Sequence, residues 1–387
     1  MKMLKLIFKN SFRHRLRAFL TIAGVAAAVI TFTVFRTAIT SWNAGVDAAA
    51  ADRLVTRQAV SFIFPLPISY KDRIEKINGV QKVMPCLWFQ GKHWDETNFF
   101  ARIAVVPESV REMFPEYIVS DAELEAFKKE RTSCLIGVKT AKRYNLKLGD
   151  VIPIEGDIYP GTWQFTVRGI YQPREEVTDA TQMFIHYDYV DERVKQDDPS
   201  RAGGVGWYSV KIKDISKSAE ISQQIDALFA NSSSETKTET EKAFNQGFLS
   251  AFSAVITVID VASLFVIVII MFVLGNTMVM SSRERTREYA VLKTLGFKGW
   301  YLYLFITGES IVISLIGAIA GVVLSYPIVY LLSLMLAGGG MFPVFYIVKG
   351  TLIVAFISAL VVGVISAVIP VVQVNRTRIV DGLRYVG

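Results

Sequence analysis

Cysteine and histidine are scarce: Cys86 and Cys134 are the only thiols in 387 residues, and His14, His93 and His186 are the only imidazoles. So few cysteines exclude a disulfide framework and a thiolate metal site. The cysteines remain able to pair with each other in an oxidising compartment, but their spacing says nothing of proximity. The histidines lie far apart along the chain and build no common metal site. No G-x-x-x-x-G-K-[ST] loop occurs, so nucleotide is not held by that route. Gly137-Val-Lys-Thr140 lacks the upstream glycine and the length, and Gly203, Gly204 and Gly206 read as a flexible loop. G-x-S-x-G and H-E-x-x-H are missing as well. No catalytic centre is expected.

What is present is apolar sequence. The chain is 52% hydrophobic with a mean hydropathy of +0.36, which fits some membrane spans joined to a sizeable water-soluble part. A span needs about 20 apolar residues, and four stretches supply them: 18–41, 249–280, 301–336 and 351–372. Arg36 interrupts the first near its outer end, Pro327 sits in the third as an expected kink, and Pro370 lies at the exit of the fourth. The first stretch has the basic start of a signal peptide, but Ala49 and Ala51 lie well beyond its apolar run. A retained anchor is therefore expected.

The net charge of +7 belongs to topology rather than to nucleic acid. Lys2, Lys5, Lys9, Arg13, Arg15 and Arg17 fill the amphipathic segment 1–17. Arg283, Arg285, Arg287, Lys293 and Lys298 occupy the turn 281–300, and Arg376, Arg378 and Arg384 the tail 373–387. The short loop 337–350 holds only Lys349. By the positive-inside rule both termini and the middle turn are cytoplasmic, while residues 42–248 and 337–350 lie outside. The expected fold is an α-helical membrane protein with four transmembrane helices in a 1+3 arrangement. An α+β extracytoplasmic domain is inserted between helices one and two.

Within 42–248, Tyr70 to Ile77 reads as a short helix. Val83 to Phe89, Phe99 to Val106, Val151 to Ile154, Phe165 to Tyr171, Gln182 to Tyr187 and Trp207 to Ile212 read as strands. Ile221, Ile225, Leu228 and Phe229 share one side of a helix from Ala219 to Phe229. The polar run from Asn231 to Thr240 reads as a solvated connection.

Two acids stand in the spans. Asp260 lies about 30 Å from Met280 along a helix, near the outer surface, and Glu309 about 12 Å inside the cytoplasmic face. They cannot meet in one layer, and no charge pair is expected deep in the spans. Such acids carry a functional hypothesis by default, against which stands a structural hydrogen bond between helices. In the turn, Ser281 or Ser282 can cap a short helix with Glu284 in its first turn, and Gly296 ends it. Tyr289, Leu292 and Leu295 or Gly296 fall on one side, with Arg283, Arg287 and Glu288 elsewhere. Such a helix suits docking on a partner or lying on anionic lipid.

Several blocks resemble the signature of the FtsX-like, MacB-type permeases, the membrane subunits of ABC transporters that include macrolide exporters and lipoprotein-releasing complexes. They are Asn276 to Met278, Ser282 to Arg285, Arg287 to Gly296, Glu309, and Gly317 with Gly321. Phe8 to Ser11 and Leu20 to Gly24 resemble the family's entry into its first helix, and Pro370, Asn375–Arg376 and Ile379 to Arg384 its closing motif. Leu135 to Gly137, Leu148 to Asp150 and Phe165 to Ile170 resemble its external core.

The resemblance implies a multi-pass protein of the cytoplasmic (inner) membrane. A second permease chain pairs with it as homodimer or related heterodimer, and each docks on a cytoplasmic ABC ATPase subunit. ATP and Mg would be bound by that partner and no cofactor by this chain. The ATPase-coupling residues would be Glu284, Arg287, Glu288, Tyr289, Leu292, Leu295 and Gly296. In a Gram-negative source a periplasmic adaptor would join. Because the chain begins 17 residues before its first span, the ATPase is expected on another polypeptide. Export of an amphipathic substrate by mechanical transmission, release of lipoproteins, and regulation of an external hydrolase all remain open.

Overall fold

The computed structural model describes residues 2–47, 49–93, 100–175, 178–250, 252–336 and 345–376. The chain forms two compact units: Met1–Thr40 with Ser253–Ser333 and Tyr346–Gly387, and Ser41–Phe252 with Leu334–Phe345. Residues 337–344 of the expected short loop, Phe99 of one expected strand, and Arg378 and the closing motif Ile379 to Arg384 lie outside the described residues.

Four helices of the first unit are long and apolar enough to cross a bilayer: Arg15–Ala44, Ser253–Glu284, Gly299–Met335 and Lys349–Arg376. Residues from Leu249 do not begin the second, because a separate helix, Glu241–Ser250, ends just before it. Pro327 is carried inside the third helix. Pro370 falls in the first turn of a terminal segment, Val368–Arg376, where a missing N–H costs little.

Small residues set the spacing between these helices. A Cβ on Gly317 would stand 2.6 Å from Val25 Cβ, and one on Gly321 2.6 Å from Val29 Cβ, so the third helix lies against the first where no side chain intervenes. Gly308 likewise receives Ile7 of the short N-terminal helix Lys2–Ser11. Between the third and fourth helices Ser310 Oγ donates to Gly363 O (2.6 Å), and Ser314 Oγ to Ala359 O. Lipid gives no hydrophobic drive for helices to associate, so close approach and hydrogen bonds of this kind do so instead. Leu274, Met278, Ile313 and Ala359 fill the space that remains.

The second unit is built on strands β1 (Arg53–Gln58), β2 (Leu66–Pro67), β3 (Val80–Trp88), β4 (Gly91–Lys92), β5 (Arg102–Val105), β6 (Tyr117–Ile118), β7 (Ser133–Gly137), β8 (Val151–Gly156), β9 (Gly161–Pro173), β10 (Met183–His186), β11 (Gly204–Val205), β12 (Trp207–Ile212) and β13 (Thr236–Thr240). Among the described residues one mixed sheet runs β13-β1-β12-β3-β5-β10-β7-β9-β8-β4, with β6 on β9, and β2 pairs β11 separately. Alternation explains the first part of the long strand: Trp163, Phe165 and Val167 point from β9 into one core, and a register shift before Gly169 turns Tyr171 into the other. Phe89 meets Trp163 and Phe165 edge-on, at 5.1 and 5.8 Å. The helix Ser218–Phe229 buries Ile221, Ile225 and Phe229, the last stacked on Tyr70 at 3.8 Å. Leu228, assigned to that side by spacing, is exposed instead.

Two expectations need correction. The run ending at Thr240 is no solvated connection, because its last five residues form β13 beside β1. Thr236 and Thr238 are buried, and both hydroxyls donate to Asp226, which satisfies inside the fold the polarity that suggested solvent. The glycine cluster is partly ordered as β11, with Gly203 in the left-handed region (φ +71°) at its start. Cys86 on β3 and Cys134 on β7 are both buried and free, and burial pushes the Cys86 thiol up to about 12.

Arg53 ties this unit together near the point where β1 begins. Its guanidinium donates to Glu116 (2.7 Å), Glu241 (2.9 Å) and the Met113 carbonyl (2.6 Å), and lies over the Phe114 ring. Glu241 opens the helix Glu241–Ser250 and also accepts from Ala50 N, so one residue clamps both ends of the domain's chain.

Candidate functional site

The turn between the second and third apolar helices is assembled around one residue, Arg285. The second helix continues through Glu284, so Ser281 and Ser282 do not cap a new helix as their position suggests; Ser282 is buried in the old one. Arg285 breaks the run (φ −104°, ψ 12°), and a short helix follows over Thr286–Thr294. It ends as expected at Gly296, whose φ of +85° suits a residue without a Cβ. Phe297 N donates to Leu292 O and Gly296 N to Lys293 O, which satisfies the last carbonyls.

The break frees the Arg285 side chain to turn inward. One guanidinium nitrogen donates to Glu309 Oε2 on the third helix (3.0 Å), the other to the Asn10 carbonyl of the N-terminal helix (3.0 Å). Both charged side chains are nearly sealed, 5% and 7% exposed. Such a pair is tolerated only because its partners are satisfied, and removing one partner costs about 3–5 kcal/mol. Flanking acids continue the contact toward the N-terminal segment. Glu284 accepts from Arg17 (2.6 Å) with His14 at 3.6 Å, and Glu288 accepts from Arg13 (2.5 Å). These outer pairs are exposed, and each is worth about 0–1 kcal/mol.

The short helix presents two faces. Tyr289 is buried against Leu302, Ile306 and Val374, with Leu292 and Val371 packed beside them. Lys293 Nζ donates to the Val374 carbonyl near the end of the fourth helix (2.8 Å). The stripe Tyr289–Leu292–Leu295 is therefore split: its first two members hold the helix to its own unit, while Leu295, like Arg287 and Val291, stands exposed. Leu295 lies past the last helical residue, Thr294, so helical spacing wrongly assigned it to the face of the other two. Asp260 lies elsewhere, on the second helix, and pairs with Arg36 of the first at 2.8 Å.

No charge pair is expected deep in the spans, and the sealed Arg285–Glu309 pair corrects that, whereas the Arg36–Asp260 pair is about half-exposed. Each of the two acids has a cation on another segment, Asp260 on the first helix and Glu309 at the break after the second. The signal was present in Arg36, an arginine inside an apolar run, and in Arg285, the only one of the turn's cations to follow the last apolar turn at an inward register. An acid in a span calls for such a partner. No cluster of three or more potential metal ligands occurs among the described residues.

Residues 261–379 match the model of the FtsX-like permease C-terminal region, and residues 18–228 that of the MacB-like periplasmic core domain. The chain belongs to the FtsX-like, MacB-type family of ABC transporter permeases. It is similar to the uncharacterised ABC transporter permease MJ1507 of Methanocaldococcus jannaschii, 25% identical over 403 residues, covering 97% of this chain and 96% of that one. The uncharacterised ABC transporter permease YvrN of Bacillus subtilis is 34% identical over 111 residues, 28% of this chain and 26% of its own. Among solved structures, the periplasmic region of MacB from Actinobacillus actinomycetemcomitans aligns with a TM-score of 0.36 at 11% identity, over 52% of this chain and 95% of that one.

Proposed function

We propose that this permease couples ATP hydrolysis by a separate cytoplasmic ATPase subunit to export of an amphipathic substrate by mechanical transmission. The observation that carries the reading is the Arg285 node at the start of the turn helix, which joins it to the third apolar helix through a buried contact and to the N-terminal helix through a half-buried one. A push on the turn helix is thus delivered to two further segments at once. In this reading the spans have a 1+3 topology in the inner membrane, with both termini and the turn cytoplasmic. Two such chains pair, and ATP and Mg are held by the ATPases. The packed helices have two arrangements, and nucleotide on the partner biases the choice between them.

The ATPase contact is the outer face of the turn helix, Arg287, Val291 and Leu295, with Glu284 and Glu288 positioned beside it by Arg17 and Arg13. Tyr289, Leu292 and Gly296 shape the helix rather than touch the partner. The test is purification of the chain from its native host in mild detergent, with mass spectrometry of what accompanies it. The expected result is a small ATPase in stoichiometric amount, its hydrolysis stimulated by the permease. Val291→Asp with Leu295→Asp should abolish both while the permease stays inserted. Undiminished recovery and stimulation of the ATPase with the doubly substituted chain would remove this face as the contact.

A further inference from the structure

The second apolar helix, Ser253–Glu284, is the least enclosed of the four. Only 11% of its apolar stretch is buried, against 39%, 33% and 33% for the first, third and fourth. One face, with Ile270, Leu274 and Met278, packs on the rest of its own unit. The opposite face is open: Val258, Val261, Phe265, Ile269, Phe272 and Met280 recur every three or four residues and are 47–68% exposed. Lipid tails accept such a stripe, so these side chains alone name no occupant.

Asn276 is the exception within the stripe. It stands between Phe272 and Met280 and is exposed like them. The other polar side chains along this helix are provided for. Thr257, Ser263 and Thr277 return their hydroxyls to carbonyls of the same helix, and Asp260 meets Arg36. The Asn276 amide has no partner among the described residues. Seven residues, about 10 Å of helix, separate it from Arg283, the first cation past the apolar run. Long cationic side chains can reach the interface from such a depth, but an asparagine is too short. Its two N–H donors and its carbonyl oxygen would therefore stand unmet in hydrocarbon, which is costly.

The chemistry of the group identifies what meets it. An amide donates and accepts at once, so it is complementary to a copy of itself. A two-fold axis along the membrane normal sets two copies of this helix parallel and brings each residue of the stripe against its own counterpart. An asparagine in an otherwise apolar seam fixes register and pairing in parallel coiled coils by the same contact. The stripe holds no charge that would draw an ion or a headgroup instead.

We propose that two copies of this chain pair through the face of the second helix that carries Phe265, Phe272, Asn276 and Met280, with the two Asn276 amides hydrogen-bonded across the two-fold axis. This rests on the pairing of permease chains proposed above and on the helices spanning a bilayer, and needs no ATPase.

The test uses the full chain in phosphatidylcholine–phosphatidylglycerol liposomes. Phe272→Cys and Met280→Cys, one at a time, are oxidised with copper phenanthroline beside Ile353→Cys, which is 60% exposed on the fourth helix. Cys86 and Cys134 are buried, and the unsubstituted chain gives the background. Disulfide-linked dimers are expected at 272 and 280 and not at 353. Asn276→Leu suits lipid better than asparagine does, so insertion should not suffer. It should raise the dissociation constant of self-association about 3- to 20-fold, read by energy transfer between chains carrying donor or acceptor dyes. Asn276→Gln, which keeps the amide, should restore part of the affinity. An unchanged dissociation constant in Asn276→Leu would overturn the proposal. Cross-linking at 353 but not at 272 or 280 would overturn it as well, while leaving the chains paired through another face. A chain that stays monomeric would remove the pairing itself.

Discussion

The two units of this chain are held together by opposite means. The sheet domain buries large side chains: Trp163, Phe89, Phe165, Phe184 and Tyr208 are all sealed within it. The helix unit buries small ones, with Ala318, Ser310 and Ser314 fully enclosed and Gly317 and Gly321 admitting the first helix. Water drives the first solution, at about 25 cal/mol per Å² of apolar surface removed from it. Lipid offers no such gain, so the second unit gains from close approach and from polar contacts between helices. Both units contain a buried arginine that joins distant segments, Arg53 in one and Arg285 in the other. Charge pairing is therefore the feature they share.

The largest effects should come from removing what each unit depends on most. Trp163→Ala should destabilise the sheet domain by about 3–5 kcal/mol, read as a lowered melting temperature of the purified chain. Glu309→Leu should cost the helix unit a similar ~3–5 kcal/mol by leaving Arg285 buried and unpaired. Replacing both partners, Arg285→Met with Glu309→Leu, should recover most of that stability while the connection to Asn10 stays lost. If the double variant also regained full stimulation of the ATPase, the node would be structural and not a transmission point.

Next in size is the glycine contact. Gly317→Leu should cost about 1–3 kcal/mol, because the first helix must move away from the third. Gly24, also in a spanning helix, has nothing within 4 Å of an added Cβ, so Gly24→Ala should leave melting unchanged. Equal responses at the two positions would show that close approach is not what holds the helices.

Much of this was legible beforehand, for physical reasons that differ by unit. Apolar runs near Val25, Leu274, Ile313 and Ala359 declare their helices because each must satisfy its backbone internally. Alternation of buried and more open positions along Phe165 to Tyr171 declares its strand, although a register shift after Val167 turns Tyr171 to the other core. Contacts between segments far apart in sequence were not legible. Glu309 sits on the third helix and Arg285 at the break after the second, and only that break brings them together. β13 was missed because its threonines find Asp226 inside the fold. The turn stripe was half right: period 3.6 grouped Tyr289, Leu292 and Leu295, but the neighbouring helices cover only the first two.

The smallest effect bears on the comparison most directly. Ser314 Oγ donates to the Ala359 carbonyl between two apolar helices, and Ser133 Oγ to the Glu130 carbonyl inside the sheet domain (2.5 Å), with the Phe127 carbonyl at 3.0 Å. Both hydroxyls are buried, and their acceptors are backbone carbonyls. A single hydrogen bond is worth about 0.6 kcal/mol between membrane helices and about 1 kcal/mol in a water-soluble core. Ser314→Ala should therefore cost no more than Ser133→Ala, measured as paired shifts in melting of the same purified chain. A markedly larger loss at Ser314 would mean that hydrogen bonds, rather than the approach allowed by Gly317 and Gly321, hold the helices. The contrast between the units would then lie in how they treat polar groups and not in the size of what they bury.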